Sequence, residues 1–314
     1  MRGERRTSGR ANVLKATIIS LSVALLALFG VVNSSAAGAD STPPAFYLDL
    51  GGSASIGVQP TLVAPGGQAS VDGYANELVS FEAARGVALQ LTQLGCPGET
   101  TASMVSGGDH CYVSGETQLG EAMSFLMTHS DQAGLVTIDL GFNDLRPCLG
   151  HQTFDQPCVN HQLSQVQQEM PTIIEGLKSV AGPNVSFVGL GHYDPFLADS
   201  LLGSAGKLIS ANSNHEVGRL NATLQSAYSI AGIPLAMVGN VFESRDVGLV
   251  NVVGVGRVPE NVANTCALTW MCQPAPLGPN IHPNDAGYVA IATAIEGSLP
   301  ALWLGGTPRA VRSS

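Results

Sequence analysis

Apolar and polar positions alternate along this chain in two rhythms. Short apolar runs at Phe46–Leu50, Leu135–Leu140 and Val185–Leu190 are each closed by glycine, and Val87–Leu94 alternates before a turn at Gly95-Cys96-Pro97-Gly98. These have the length and bounding signals of strands. Between them, helical spacing covers Asn76–Arg85, Leu119–His129, Gln162–Val180 and Leu208–Ala231. Pro234–Val238 reads as one more strand, and a last helix starts near Pro283 and runs towards Leu299. Strands alternating with helices of this length predict a central parallel sheet covered by helices on both faces. In such sheets ligands bind beyond the carboxyl ends of the strands, so the informative loops are those that follow strands.

The first 39 residues follow a different pattern. Arg2, Arg5, Arg6, Arg10 and Lys15 precede an apolar run from Ala16 to Val32, and small residues lead to Ala37-Gly38-Ala39. That is the layout of an export signal with cleavage before Asp40; retention as an N-terminal membrane anchor is the alternative. Residues 40–44 read as a linker, 45–304 as one α/β domain and 305–314 as a flexible tail. Without the leader the chain keeps 9 of its 14 Lys and Arg and 23 of its 24 Asp and Glu, a net charge of −14. Such a surface repels phosphate backbones, which argues against a nucleic-acid partner.

The six cysteines suit an exported protein. They allow 15 connectivities, of which the sequential one, Cys96/Cys111, Cys148/Cys158 and Cys266/Cys272, is favoured because each pair brackets a loop. Zinc is the weaker reading, since no C-x-x-C spacing occurs. Asn184 and Asn221 fit glycosylation acceptor motifs.

Four loops carry chemistry. In Gly51-Gly52-Ser53-Ala54-Ser55-Ile56-Gly57 a serine follows a strand at an expected helix start, where its hydroxyl and N–H face the open sheet edge; helix capping is the bland role. Gly98, in Gly95-Cys96-Pro97-Gly98-Glu99-Thr100-Thr101, lets backbone approach a ligand closely, although an ordinary turn explains it equally. Asn143, in Gly141-Phe142-Asn143-Asp144, offers two uncharged donors to an oxyanion, or else merely ends a turn. His282, in His282-Pro283-Asn284-Asp285-Ala286-Gly287-Tyr288, carries the side chain suited to moving a proton near neutral pH, or else packs at a helix start. His192 is the rival base.

Taken together, the ordered set resembles the SGNH (GDSL) hydrolase superfamily, with its blocks Gly-Asp-Ser-x-x-x-Gly, a lone Gly, Gly-x-Asn-Asp and Asp-x-x-His-Pro. The matching residues are Ser53 with Gly57, Gly98, Gly141 with Asn143, and His282 with Pro283. Cys-Pro-Gly-Glu-Thr-Thr at 96–101, Thr269-Trp270-Met271-Cys272 and the His-Pro-Asn-x-x-Gly-Tyr run extend the resemblance to secreted actinobacterial-type esterases and lipases. The resemblance implies a flavodoxin-like three-layer α/β/α sandwich around the parallel sheet, Ser53 as nucleophile and His282 as base, an acyl-enzyme intermediate, and an oxyanion hole from the Ser53 and Gly98 N–H groups and the Asn143 amide. It implies no cofactor and no metal.

Two departures stand out. Gly52 replaces the Asp of Gly-Asp-Ser, and Pro279 stands where the family places its triad Asp. A Ser-His dyad with a main-chain carbonyl behind the imidazole, from the stretch between Trp270 and Asn280, is the expected substitute. The sequence therefore predicts a secreted carboxylic-ester hydrolase acting on small-molecule or lipid esters, without stable membrane insertion after cleavage. A catalytically silent binding protein of the same fold, or a polysaccharide acetylesterase, are the alternatives.

Overall fold

A computed structural model describes residues 45–300 apart from 109, 114, 151 and 152. The expected leader, linker and tail all lie outside the described residues. Five parallel strands form the sheet: β1 (Ala45–Gly51), β2 (Leu89–Gln93), β3 (Gly134–Asp139), β4 (Val185–Leu190) and β5 (Leu235–Ala236), in the order β2-β1-β3-β4-β5. This is the flavodoxin-like order, with its reversal point between β1 and β3.

Strand residues alternate between faces, and β1 separates the two halves of the core. Phe46, Leu48 and Leu50 pack with α3 (Gln118–Thr128), α5 (Gln156–Val180) and α6 (Ser204–Ile230) on one side. Tyr47 lies on the other with α1 (Tyr74–Ala84), α7 (Val238–Val241) and α9 (Asp285–Glu296). Because both faces are covered, β1, β3 and β4 read as nearly unbroken apolar runs. The exception within β1 is Asp49, buried on the α1 side, where it accepts hydrogen bonds from Tyr74 (2.8 Å) and Thr137 (2.6 Å) and so ties β1, β3 and α1 together.

Several boundaries differ from the sequence reading. Capped by Asp155, α5 begins six residues before the expected start, and β5 is only two residues long. Ser53 does not open a helix; a turn follows it, closed by Val58 N–H to Ser53 O at 3.0 Å. His282 and Pro283 belong to a short strand, Asn280–Pro283, paired with Thr269–Trp270, and α9 begins only at Asp285 with Asn284 as its cap. Among the described residues no helix is long and apolar enough to cross a membrane.

The disulfides pair as expected, Cys96 with Cys111, Cys148 with Cys158 and Cys266 with Cys272, but two of them do not simply bracket loops. Cys158 was expected on a loop ahead of the helix and instead lies within the first turn of α5, where its N–H donates to the capping Asp155 carboxylate at 3.1 Å. Its partner Cys148 sits in the turn after the short helix α4 (Phe142–Leu145), which carries Asn143. The bridge therefore fastens the Asn143 segment to the start of a long core helix. Cys266 likewise belongs to a helix, α8 (Glu260–Leu268). Asn221 spends both amide atoms on the backbone of His192, at 2.7 and 2.8 Å, an engagement at odds with its reading as a glycan acceptor.

Candidate active site

Loops from the carboxyl ends of β1, β2 and β3 meet at the reversal point and are stitched together by buried polar contacts. Gln118 clamps the last residue of β1, accepting from Gly51 N–H at 2.8 Å and donating to its carbonyl at 3.0 Å. Asn143 donates to Glu99 O at 3.0 Å, and its neighbour Asp144 accepts from the Thr101 hydroxyl at 2.7 Å and from the Thr101 N–H. Thr100 caps the short helix α2 (Thr101–Ser106) in a reciprocal box with Ser103. The Gly-x-Asn-Asp and Cys-Pro-Gly-Glu-Thr-Thr motifs are therefore two halves of one junction.

Gly52 now has a physical reason. A Cβ at this position would lie 2.6 Å from Asn143 Nδ2, inside contact distance. The residue where the family carries Asp is the one that lets the Asn143 amide lie against the serine turn. The N–H groups of Ser53 and Gly98 donate to no backbone carbonyl among the described residues, so both remain available to a ligand. Asn143 lines the cavity beside Ser53; Gly98 sits on the adjoining exposed rim and is not part of the lining.

Ser53 and His282 meet across 229 residues of chain, with Ser53 Oγ 2.8 Å from His282 Nε2. Behind the ring, Nδ1 lies 2.6 Å from Asn280 Oδ1. The expected main-chain carbonyl is not the acceptor; a side-chain amide two residues upstream takes its place. The orientation of that amide follows from its neighbours. The His282 backbone N–H, which can only donate, points at Oδ1 (3.0 Å), and the carbonyls of Pro65 (3.3 Å) and Gly66 (3.4 Å), which can only accept, face Nδ2. Oδ1 is thus the acceptor, so Nδ1 must carry the ring proton. The Nε2 lone pair is left facing the serine hydroxyl.

Burial, with a smaller contribution from the positive Arg146, lowers the His282 pKa to about 4. The ring is neutral at pH 7 and able to accept a proton. Its position is fixed by further contacts that tie residues 270–288 to the segment after Ser53 and to Tyr193. Tyr288 donates to Val58 O at 2.7 Å, Gln59 donates to Asp285 at 2.8 Å and accepts from Trp270 Nε1 at 3.0 Å, and Tyr193 donates to Ile281 O at 2.6 Å.

His192 is not Ser53's partner. It is buried, with Nε2 2.8 Å from Leu140 O and Nδ1 3.6 Å from Asp139. Asp139, at the end of β3, lines the same cavity, and burial raises its pKa, partly offset by His192. The cavity, about 60 Å³, runs from Ser53 and His282 past Ala54, Phe142 and Tyr193 to Val238 and Ile291. It has room for a few waters or a short acyl group.

No protein-family profile and no curated protein sequence matches this chain. Solved structures match in shape. Phospholipase A1 from Streptomyces albidoflavus NA297 aligns over 82% of this chain and 100% of its own, at 17% identity and a TM-score of 0.53. The extracellular lipase of Streptomyces rimosus covers 81% and 100%, at 18% identity and a TM-score of 0.52. The lipase Lip_vut3 from a goat rumen metagenome covers 81% and 97%, at 16% identity and 0.50. The chain shares its three-layer α/β/α fold with these structures.

Proposed function

We propose that this protein is a secreted carboxylic-ester hydrolase that works through an acyl-enzyme on Ser53. One observation carries the reading: the hydrogen-bonded series from Asn280 through His282 to Ser53, in which backbone groups set the amide, the amide sets the tautomer, and the tautomer aims the base at the hydroxyl.

In the first half-reaction Ser53 Oγ attacks the ester carbonyl carbon while His282 Nε2 takes the hydroxyl proton. The carbonyl oxygen becomes an anion facing the N–H groups of Ser53 and Gly98 and the free amide proton of Asn143. Collapse breaks the bond to the alcohol oxygen, which leaves with the proton from His282. Water then enters, gives a proton to His282 and attacks the acyl carbon. The acid departs and Ser53 recovers its proton. Asn280 is a positioning residue: it holds the imidazole and accepts from Nδ1–H throughout.

The apolar stretch of the leader and the three disulfides support export. The mostly apolar lining of the cavity supports an uncharged acyl group, and the likeness in fold to a phospholipase A1 and an extracellular lipase agrees with an ester substrate. The test is hydrolysis of p-nitrophenyl butyrate together with labelling by a fluorophosphonate. Both are expected in the wild type and lost in Ser53→Ala. Hydrolysis that survives Ser53→Ala, or a label on another residue, overturns the assignment; a wild type inert to both favours a silent binding protein.

A further inference from the structure

The segment that braces Asn280 has an unusual tip. Gln59 and Gln68 pair through two backbone hydrogen bonds, of 3.0 and 2.9 Å, closing the base of a small loop. Near its end Thr61 and Ala64 exchange N–H···O bonds of 3.0 and 3.2 Å, the Thr61 hydroxyl also accepts from Ala64 N–H, and Gly67 N–H bonds back to Ala64 O. The turn is therefore rigid, and the two residues it presents are Leu62 and Val63. They are 74% and 90% exposed, and Val71 at the loop's exit is 78% exposed. Tight turns are ordinarily tipped with Gly, Asn, Asp, Ser or Pro, each for a backbone reason. Leucine and valine serve none of those purposes here, and in water they expose apolar surface that the fold leaves uncovered.

Two facts say what covers them. The loop is part of the candidate site's frame: Pro65 and Gly66, directly after the turn, accept the amide protons of Asn280, and Val58 and Gln59, just before it, hold Tyr288, Asp285 and Trp270. The tip is therefore carried on a turn joined to His282 through Asn280 alone. Charge supplies the second fact. No charged residue occurs between Gly51 and Val71, while the chain after its leader carries a net charge of −14. An anionic membrane is disfavoured by that surface, and a cationic or acidic peptide finds no partner on the loop.

We propose that the Leu62-Val63 tip docks this protein on a zwitterionic lipid surface, placing the Ser53 site against aggregated ester. The purpose of the docking rests on the ester-hydrolase reading, whereas the docking itself is measurable without catalysis.

The first measurement is flotation with phosphatidylcholine vesicles. Binding is expected for the wild type and for Ser53→Ala, weaker by at least tenfold for Leu62→Ser/Val63→Ser, and weaker on vesicles containing phosphatidylglycerol. The double variant should keep its rate on a short soluble ester within twofold. The second measurement places the tip directly. Because no free cysteine occurs among the described residues, Val63→Cys takes an environment-sensitive fluorophore, whose emission is expected to shift to the blue on phosphatidylcholine vesicles whatever the processed N-terminus does. An unshifted probe, tighter binding to the anionic vesicles, or a homodimer that the double variant dissolves each overturns the proposal. A wild type that floats but hydrolyses nothing overturns the enzyme reading and leaves the docking standing.

Discussion

The uncharged Asn280 amide behind His282 has a measurable signature in the pH profile. With a neutral acceptor and deep burial, the imidazole titrates at about 4. Only the neutral ring accepts the Ser53 proton, so kcat/KM is expected to be flat from neutral pH down to about 5 and to fall through about 4. Asn280→Asp keeps the shape and puts a negative charge 2.6 Å from Nδ1. An opposite charge at such range raises a pKa by about 1 to 3 units, which moves the acid limb to between about 5 and 7. The same change turns a donor that faced Pro65 O and Gly66 O into an acceptor facing them. Some stability and loop order are lost, so the rate at the plateau is a mixed readout and the limb is the clean one. Asn280→Ala removes the acceptor altogether. A hydrogen bond to a group that becomes charged contributes about 1.5–3 kcal/mol, which corresponds to a fall in kcat of roughly 10- to 150-fold, with no upward shift of the limb. The assay is the pH dependence of kcat/KM on a soluble p-nitrophenyl ester for the three proteins, each first checked for folding by circular dichroism. A limb that stays put in Asn280→Asp, or a kcat within threefold of wild type in Asn280→Ala, refutes the positioning role.

Gly52→Ala pushes a methyl against the Asn143 amide, the movable end of a side chain, so the melting temperature should change little. If Asn143 serves the oxyanion, kcat falls about 10²- to 10³-fold, as for loss of one such donor; an unchanged kcat removes Asn143 from that role. Replacing Cys96 and Cys111 by serine opens a loop with a sequence separation of 15. The expected loss is about 3 kcal/mol, read as a drop in denaturation midpoint, together with a lower kcat because the freed loop carries Gly98 and Glu99. A drop in midpoint with kcat intact would separate stapling from preorganisation. Asp139 is held above the usual carboxylate range by burial. Its folded pKa exceeds its unfolded one, so its ionisation costs stability as pH rises above about 4. Asn in its place should raise the melting temperature at pH 7 and have less effect near pH 4; the reverse order contradicts the assignment.

The strands are legible wherever both faces of the sheet are covered. Phe46–Leu50, Leu135–Leu140 and Val185–Leu190 lie within a residue of the observed β1, β3 and β4 because full burial leaves no polar alternation to misread. The start of α5 is not legible in the same way. In Gln156–His161 only Val159 is fully buried, so a cap at Asp155 rather than an apolar stripe defines the start, which is also why Cys158 falls ahead of the expected helix when it is helical. Ser53, Asn143 and His282 are legible by type and order. Asn280 is not, because the family pattern points to a carboxylate three residues before the histidine and its absence points to a backbone carbonyl. The signal is present all the same. Once Asn280–Pro283 is read as a strand, residues 280 and 282 share a face, and an amide two places before a histidine becomes a natural acceptor. The helix expected to start near Pro283 hides that strand.

An uncharged acceptor poses an energetic question for the proposed chemistry. A base with a pKa near 4 resists protonation, and the imidazolium formed on attack has no carboxylate beside it. The opposite charge is created in the same step. As Ser53 loses its proton, the carbonyl oxygen becomes anionic a few ångströms away, facing a largely buried imidazole, where such pairs interact more strongly than in bulk water. Burial thus destabilises the imidazolium when it stands alone, in the free protein at acid pH, and least when it faces the oxyanion. A triad carboxylate would favour the protonated ring in both states, and part of its contribution would go to holding a proton that blocks attack. With Asn280 the cation is stabilised chiefly in the transition state, which is where stabilisation raises the rate. The proposed oxyanion donors must then be held firmly, and the hydrogen-bonded junction of Gln118, Glu99, Thr101, Asn143 and Asp144 supports that for Asn143.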